Sequence, residues 1–194
     1  AAVAYDAACR GLSVALVDKD DFGAKTSAAT SKLIHGGLRY LANFEFGLVR
    51  ESLKERRILE NIAPNFVYPM ANMILTDNIS MKNKKIVLRI GMIIYDILSF
   101  DKKFTWDRSK RLPGHTSLSL AETLEAEPSV NKEGLTGSLV YYDCASIYPE
   151  RLTLAFIKSA VANGGEVANY MEVTGFLREG SSISGVKVKD RVSG

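Results

Sequence analysis

The sequence of 194 residues is poor in the residue types that build disulfide frameworks and metal centres. Its two cysteines, Cys9 and Cys144, cannot form a disulfide framework, and neither belongs to a CxxC pair. The only two histidines are His35 and His115, so we expect no structural zinc site and no metal ligands. So little cysteine suits a reducing compartment, and we expect a cytoplasmic protein.

The sequence also lacks an excess of charge of either sign. Twenty-five basic and 22 acidic residues leave a net charge of +3, which is too balanced to indicate a nucleic-acid partner. A content of 46% hydrophobic and 24% charged residues is typical of a soluble globular domain and excludes disordered and collagen-like chains.

Apolar runs long enough to span a membrane are absent as well. The densest run, Ile86–Leu98, contains Arg89 and Asp96 and is shorter than the roughly 18 to 20 residues that a spanning helix needs. Two interpretations stay open for this run. It is either a helix buried in the core or a helix on a membrane surface, preceded by the lysines of the KNKK stretch.

Both ends of the sequence lack the signals that open and close a domain. There is no initiator methionine, and the alanine-rich run AAVAYDAACR, closed by Gly11, predicts a helix without a start signal. At the other end VKVKDRVSG alternates like a strand and then stops. We therefore expect a partial chain.

The pattern of elements predicts an α/β beginning followed by mixed α and antiparallel β structure. Helix, Gly11 and the apolar strand LSVALVDK, which reaches acidic Asp18, form the second half of a βαβ unit, without the glycine fingerprint that precedes such a helix. Residues 45–62 have helical spacing, with Phe46, Val49, Leu53 and Ile62 on the apolar face, and 68–76 reads as a strand.

The second half of the sequence carries clearer boundary signals. Ser119 and Glu122 form a capping box for the helix LAETLEAE, and Pro149 suits the first turn of the helix that follows the strand GSLVYYD. The strands EVANY and EVTGFLRE come next, and ISGVKVKD completes a hairpin.

Two features suggest a nucleotide-like ligand, and each also has an ordinary structural explanation. Asp18 ends its strand where a carboxylate can accept both ribose hydroxyls of an adenosine, although a solvated aspartate is equally compatible with the position. The segment Thr26–Tyr40 combines small hydroxyl residues, Lys32 and a Gly-Gly pair, which together allow a large flat ligand to approach the backbone. An ordinary Ser/Thr-rich loop would also explain that composition.

The same segment resembles a known family. The string TSAATSKLIHGGLRYL, with GLSVALVDKDDFGAKTS before it, closely resembles the FAD-dependent glycerol-3-phosphate dehydrogenases and their sisters, the α-glycerophosphate oxidases. Both belong to the D-amino-acid-oxidase-like flavoproteins. The resemblance extends through NFEFGLVRESLKERRILENIAPN, RIGMIIYDILSF, LVYYDC and PERLTLAFIKSAVANGGEV, so it covers nearly the whole chain.

The resemblance implies a role for each matching residue toward FAD. Asp18 would bind the adenosine ribose, and the backbone of Val173 would meet the adenine edge. The loop passing the pyrophosphate and ribityl chain would comprise Thr26, Ser27, Ser31, Lys32 and Leu33. The backbone of His35, Gly36 and Gly37 would run close to the isoalloxazine ring.

The substrate would be contacted by Arg39 and Tyr40, with Arg39 as the candidate clamp on a phosphate or hydroxyl group. The family's catalytic histidine has no counterpart in these 194 residues. The resemblance further divides the chain into an incomplete Rossmann-like FAD-binding region (1–75), a helical insert with substrate-domain strands (76–145) and a return to the FAD-binding domain (146–194).

The implied activity is oxidation of sn-glycerol 3-phosphate to dihydroxyacetone phosphate, with hydride transfer to flavin N5. A dehydrogenase would pass the electrons to quinone from a peripheral position on the inner face of the cell membrane, whereas an oxidase would use oxygen. Two alternatives stay open: an amine or hydroxy-acid oxidase of the same superfamily, and a non-catalytic fragment with half of the FAD site. For the isolated chain we expect no activity.

Overall fold

The computed structural model describes residues 1–193. The helices are α1 (Ala2–Cys9), α2 (Leu38–Leu41), α3 (Phe46–Ile62), α4 (Lys85–Leu98), α5 (Leu120–Ala126) and α6 (Pro149–Ala162). The strands are β1 (Ala15–Val17), β2 (Leu33–Ile34), β3 (Tyr68–Asp77), β4 (Thr116–Leu118), β5 (Leu135–Ala145), β6 (Glu166–Ala168), β7 (Met171–Glu179) and β8 (Ser182–Asp190). The chain forms two compact units, one of Ala1–Lys32 with Tyr148 onward and one of Leu33–Ile147. The three-part functional division at residues 75 and 145 stays a prediction.

The first unit has α/β architecture. Strands β1 and β6 pair in parallel, with Leu16 opposite Val167, and each follows a helix in the sequence. Those helices, α1 and α6, pack on each other, and the rings of Tyr5 and Phe156 lie 6.0 Å apart between centroids. The α/β beginning predicted from the sequence is thus confirmed.

Helix α1 ends at the predicted glycine. Gly11 has a φ of +75°, its N–H donates to the carbonyl of Ala8 at 2.9 Å, and the N–H of Leu12 donates to that of Ala7 at 3.1 Å. This pair of bonds is a Schellman motif, in which the glycine adopts the left-handed conformation without steric cost.

The strand that follows α1 is shorter and more exposed than predicted. LSVALVDK was expected to be a buried strand, but only Ala15–Val17 pairs, and Leu12 is exposed. Within residues 1–193 the only strand paired with β1 is the three-residue β6, so the ladder cannot extend further. The prediction of a buried strand is therefore wrong.

The predicted hairpin at the end of the chain is confirmed. Strands β7 and β8 pair antiparallel, with Val173 opposite Val188, and Gly180 turns the chain with a φ of +61°. Both faces of this two-stranded ribbon are largely exposed.

The second unit is built on an antiparallel sheet in which β5 is central. Strand β5 pairs with β2, β3 and β4; Ile34 lies opposite Cys144, and Met70 lies opposite Asp143. The capping box predicted for α5 is present, because the Ser119 side chain accepts from the Glu122 N–H and the Glu122 carboxylate accepts from the Ser119 N–H. Local hydrogen bonds that satisfy helix-end donors are readable from sequence.

Helix α3 presents a different face to the core than its apolar residues predict. Val49 and Leu53 are buried as expected, but Phe46 and Ile62 are exposed. The buried face continues instead through Arg56 and Glu60, and the helix packs with Leu41 and Tyr95 in the main apolar cluster. The face of a helix that becomes buried is determined by the residues that pack against it. Here those residues accommodate two charged side chains, Arg56 and Glu60.

Helix α4 is buried on one side only. Met92 and Tyr95 are buried, whereas Ile86, Ile90 and Ile97 are 69%, 55% and 65% exposed. The interpretation of a helix buried in the core thus holds for one face of α4 and is wrong for the face that carries these isoleucines. Among the described residues no helix has the length and apolar character needed to cross a bilayer.

One carboxylate ties α3 to the turn after α4. The Arg50 guanidinium binds Asp101 in bidentate fashion at 2.9 and 2.7 Å, and the Arg57 Nε donates to the same carboxylate at 2.9 Å. Burial alone would raise the pKa of Asp101, but the hydrogen bonds and charges of the two arginines outweigh it and hold the pKa below its ordinary value of 3.8.

We expect Asp101→Asn to lower the free energy of unfolding by about 2 kcal/mol at pH 7, since charge-assisted bonds are lost. A carboxylate with a depressed folded-state pKa stabilises fully above its unfolded pKa and loses that effect as the pH falls through the folded value. The difference between wild type and variant in urea titrations should therefore shrink as the pH falls below about 3.9, the ordinary pKa of an unfolded aspartate. Asp6→Asn, at an exposed position of α1, is the control; an Asp101→Asn deficit independent of pH would contradict the assignment.

Candidate functional site

Asp18 lies directly after β1 with its main chain fixed and its side chain exposed. Its N–H donates to the Ala168 carbonyl at 3.1 Å, and its carbonyl accepts from the Met171 N–H at 2.8 Å. One carboxylate oxygen accepts from the Asp20 N–H at 3.0 Å. The other has no intramolecular hydrogen bond within residues 1–193, so a hydroxyl pair of a ligand could bind there.

The loop after Asp18 is held by an ion pair at its base. Asp20 binds Lys25 and, at 3.4 Å, Arg191; the hydrogen bond from Lys25 is the main reason that the pKa of Asp20 is lowered. Lys25 and Lys32 both adopt a positive φ, near +60°, which is uncommon for residues with a side chain. The loop therefore follows a specific, strained path.

This loop exposes the polar groups that the sequence singles out. Thr26, Ser27, Ser31 and Lys32 are all exposed, and in the described part of the chain none of their side-chain polar atoms is hydrogen-bonded. Hydroxyl and ammonium donors of this kind are suited to a phosphate chain. Val173, predicted at the adenine edge, is exposed on β7 of the same unit.

In the second unit, β2 leads directly into the His-Gly-Gly segment. Leu33 pairs opposite Ala145 and is 41% exposed, and His35 is also exposed. The His35 Nδ1 accepts from the Gly37 N–H at 2.9 Å, which assigns the proton of the neutral ring to Nε2. His35 thus offers an exposed donor.

Both glycines of this segment are buried by their own unit. Gly37 has a φ of +71°, and a Cβ there would approach the Tyr40 ring to 2.6 Å. A Cβ at Gly36 would overlap the Leu53 side chain and the Tyr95 hydroxyl. Glycine is required at position 37 because of the positive φ and at position 36 because of packing.

The Gly36 N–H is held by a buried polar cluster that the sequence analysis missed. It donates to the Tyr95 Oη at 3.0 Å and to Asp143 Oδ1 at 3.2 Å, and Tyr95 in turn donates to Asp143 at 2.8 Å. Arg56 forms an ion pair with the same carboxylate. The one available signal was the spacing of Arg56, seven residues after Val49 on the buried face of α3.

The electrostatics of this cluster follow from its burial. Burial lowers the pKa of Arg56, yet the charge and hydrogen bond of Asp143, with smaller contributions from Tyr95 and Cys144, together outweigh it and the pKa is raised, so the guanidinium stays charged. Burial, and next the Asp143 charge, raise the pKa of Tyr95, so its hydroxyl stays protonated. The Tyr95 hydroxyl and the Arg56 guanidinium therefore keep their protons at ordinary pH.

A neighbouring buried pair is chemically inert. The Cys144 thiol donates to Glu60 Oε1 at 3.2 Å, and burial raises the pKa of both groups. A buried thiol with a raised pKa is a poor nucleophile, so we assign it no role in the reaction.

Arg39 and Tyr40 lie on α2, immediately after the glycines. Both are exposed, and neither side chain is hydrogen-bonded to another described residue. An exposed guanidinium next to a rigid backbone segment is suited to binding an oxyanion through its planar fork.

A groove of about 480 Å³ is lined in part by His35. The floor and walls combine the β2 segment with one face of α3: Leu33, Ile34, His35, Leu48, Glu51, Ser52, Glu55, Arg56 and Leu59. Glu51 and Glu55 are exposed carboxylates and would repel a phosphate group, so this groove does not suit an anionic substrate.

Comparison with known proteins identifies the family of this chain. The family model described as FAD dependent oxidoreductase matches residues 1–193. A glycerol-3-phosphate dehydrogenase of Synechocystis is 41% identical over 192 residues, covering 98% of this chain and 33% of that protein. The aerobic glycerol-3-phosphate dehydrogenase of Bacillus subtilis is 39% identical over 190 residues, covering 98% and 32% respectively.

Solved structures show the same fold. The glycerol-3-phosphate dehydrogenase of Bacillus halodurans, complexed with FAD, has a TM-score of 0.66 at 28% identity and covers 98% of this chain and 28% of its own. The L-α-glycerophosphate oxidase of Mycoplasma pneumoniae has a TM-score of 0.66 at 22% identity, over 92% of this chain and 44% of its own, which indicates the fold alone. The chain spans about a third of the length of the curated relatives. It belongs to the FAD-dependent oxidoreductase family.

Proposed function

We propose that the full-length protein oxidises sn-glycerol 3-phosphate to dihydroxyacetone phosphate and uses FAD as the hydride acceptor. The observation that carries the proposal is the near-complete coverage of this chain by relatives named glycerol-3-phosphate dehydrogenase, at 36–41% identity. The exposed Arg39 beside the His-Gly-Gly segment supports a phosphorylated substrate.

The described residues fit FAD. In the first unit, the available Asp18 oxygen would accept from the adenosine ribose, Val173 would contact the adenine, and the exposed loop hydroxyls with Lys32 would bind the pyrophosphate and ribityl chain. In the second unit, Leu33 and the backbone of His35–Gly37 would line the isoalloxazine ring. The amides of Gly36 and Gly37 already donate hydrogen bonds within the protein. Their contribution to binding the isoalloxazine ring would therefore be mainly close packing and not hydrogen bonding.

For the reaction we assign binding of the substrate to Arg39 and Tyr40. The guanidinium would hold the phosphate or a hydroxyl group of glycerol 3-phosphate and so orient its C2–H bond. FAD, when bound, supplies the acceptor for the hydride leaving C2. The proton of the C2 hydroxyl requires a base, and we assign that role to neither Arg39 nor Tyr40, because both are weak proton acceptors.

We further propose quinone as the electron acceptor and a peripheral membrane position for the protein. The exposed isoleucines of α4 support this position, since Ile86, Ile90 and Ile97 recur at helical spacing on one face. Lys82 and Lys84, just before the helix, supply positive charge that anionic lipids attract.

The substrate is tested by adding glycerol 3-phosphate to the purified full-length protein without an electron acceptor. We expect the flavin absorbance near roughly 450 nm to bleach, because hydride transfer reduces the cofactor. Glycine and lactate, added separately, are the controls for an amine or hydroxy-acid oxidase. A yellow protein that bleaches with either of them and not with glycerol 3-phosphate would contradict the proposed substrate.

Arg39→Ala and Asp18→Ala should give opposite patterns in the full-length protein. Loss of the Arg39 fork should lower kcat/KM about 100-fold with FAD retained, since a charge-assisted contact to the substrate is removed. Loss of the Asp18 carboxylate should weaken FAD retention about tenfold, with activity restored by excess FAD. Arg178→Ala, at an exposed arginine of β7, is the control. Bound FAD lost from Arg39→Ala, with normal kinetics in the remaining holoenzyme, would refute the placement.

A further inference from the structure

The hydrogen bonds on Gly36 connect the backbone of the proposed flavin-facing segment to three other elements. Tyr95 comes from α4, Asp143 from β5 and Arg56 from α3, and all three side chains are almost completely buried. The Gly36 N–H donates to the Tyr95 hydroxyl at 3.0 Å and to Asp143 at 3.2 Å, and Arg56 joins the cluster through its ion pair with Asp143.

The Tyr95 hydroxyl is the central group of the cluster, because it forms hydrogen bonds both to the main chain and to the buried carboxylate. Its hydroxyl donates to the Asp143 carboxylate at 2.8 Å while accepting from the Gly36 N–H. Arg56 supplies the positive charge that allows a carboxylate to be buried at this place. Without the hydroxyl, Gly36 would keep only the longer bond to Asp143.

Packing on Gly36 makes the segment sensitive to this bond. The Tyr95 hydroxyl and the Leu53 side chain occupy the space where a Cβ of residue 36 would lie, so both press directly on the main chain. Gly37 follows at a positive φ, with its N–H bonded to His35. A shift of the Gly36 amide would therefore move the His35 ring and the turn that leads to Arg39.

We propose that Tyr95, with Asp143 held in place by Arg56, is a positioning residue for FAD: its hydroxyl fixes the Gly36 amide and thereby the segment from His35 to Gly37 against the isoalloxazine ring. The inference rests on the proposed FAD-binding role of this segment. It adds three residues, Arg56, Tyr95 and Asp143, that act on the cofactor only through the main chain.

The chain contains a matched control for this role. Tyr141, on β5, packs edge-to-face against Tyr95 with ring centroids 6.0 Å apart, and its hydroxyl makes no hydrogen bond to the described residues. Tyr95→Phe and Tyr141→Phe thus remove the same atom from adjacent rings, and only the first removal affects Gly36.

The experiment compares the two variants in the full-length, FAD-loaded protein. For Tyr95→Phe we expect hydrogen exchange of the peptide containing Gly36 to accelerate about five- to tenfold and FAD to bind about five- to tenfold more weakly, because the hydroxyl's bonds to the Gly36 amide and to Asp143 are both lost. At saturating FAD the visible flavin band should shift relative to wild type, a change that lower stability alone would not produce. Tyr141→Phe should stay within about twofold of wild type in all three measurements.

The outcomes separate this inference from the proposed substrate. If glycerol 3-phosphate fails to bleach the wild type but Tyr95→Phe still weakens FAD binding and shifts the flavin band, the substrate is wrong and the positioning role stands. Equal behaviour of the two variants, or faster exchange in Tyr95→Phe with unchanged FAD affinity and spectrum, would overturn the positioning role. A wild-type protein that does not bind FAD would overturn both.

Discussion

In the second unit, the Gly36 amide is held in place by hydrogen bonds to Tyr95 and to Asp143, the acidic member of a buried ion pair. Arg56 and Asp143 are nearly inaccessible to solvent, and their charges are tolerated because they compensate each other and because Asp143 also accepts from the Tyr95 hydroxyl. Removing one member of such a pair costs about 3–5 kcal/mol, because the other is left as an uncompensated buried charge. The side chains of Arg56, Tyr95 and Asp143 thereby link α3, α4 and β5 to one another.

Local signals gave reliable element boundaries in this sequence. The capping box at Ser119, Pro149 in the first turn of α6 and Gly11 after α1 each determine a structure through hydrogen bonds or dihedral angles within a few residues. Burial was less predictable. The core positions of Arg56 and Glu60, and the exposed isoleucines of α4, depend on partners that lie far away in the sequence.

The candidate site shows the same division between local and long-range information. The motif around His35 identified the family and a set of exposed groups whose chemistry fits FAD, from Asp18 to Arg39. Nothing near Gly36 in the sequence pointed to Tyr95 or Asp143, which are 59 and 107 residues away. Glycines of a ligand-binding motif are often explained by the ligand alone, and here Gly36 is required by the protein's own interior as well.

The most direct test is a crystal structure of the full-length protein with FAD bound. We expect the isoalloxazine ring beside the segment from Leu33 to Gly37, the Asp18 carboxylate within hydrogen-bond distance of the adenosine ribose, and the Gly36 N–H still bonded to Tyr95. An isoalloxazine ring located away from this segment, or a Gly36 amide turned away from Tyr95 in the complex, would contradict this expectation.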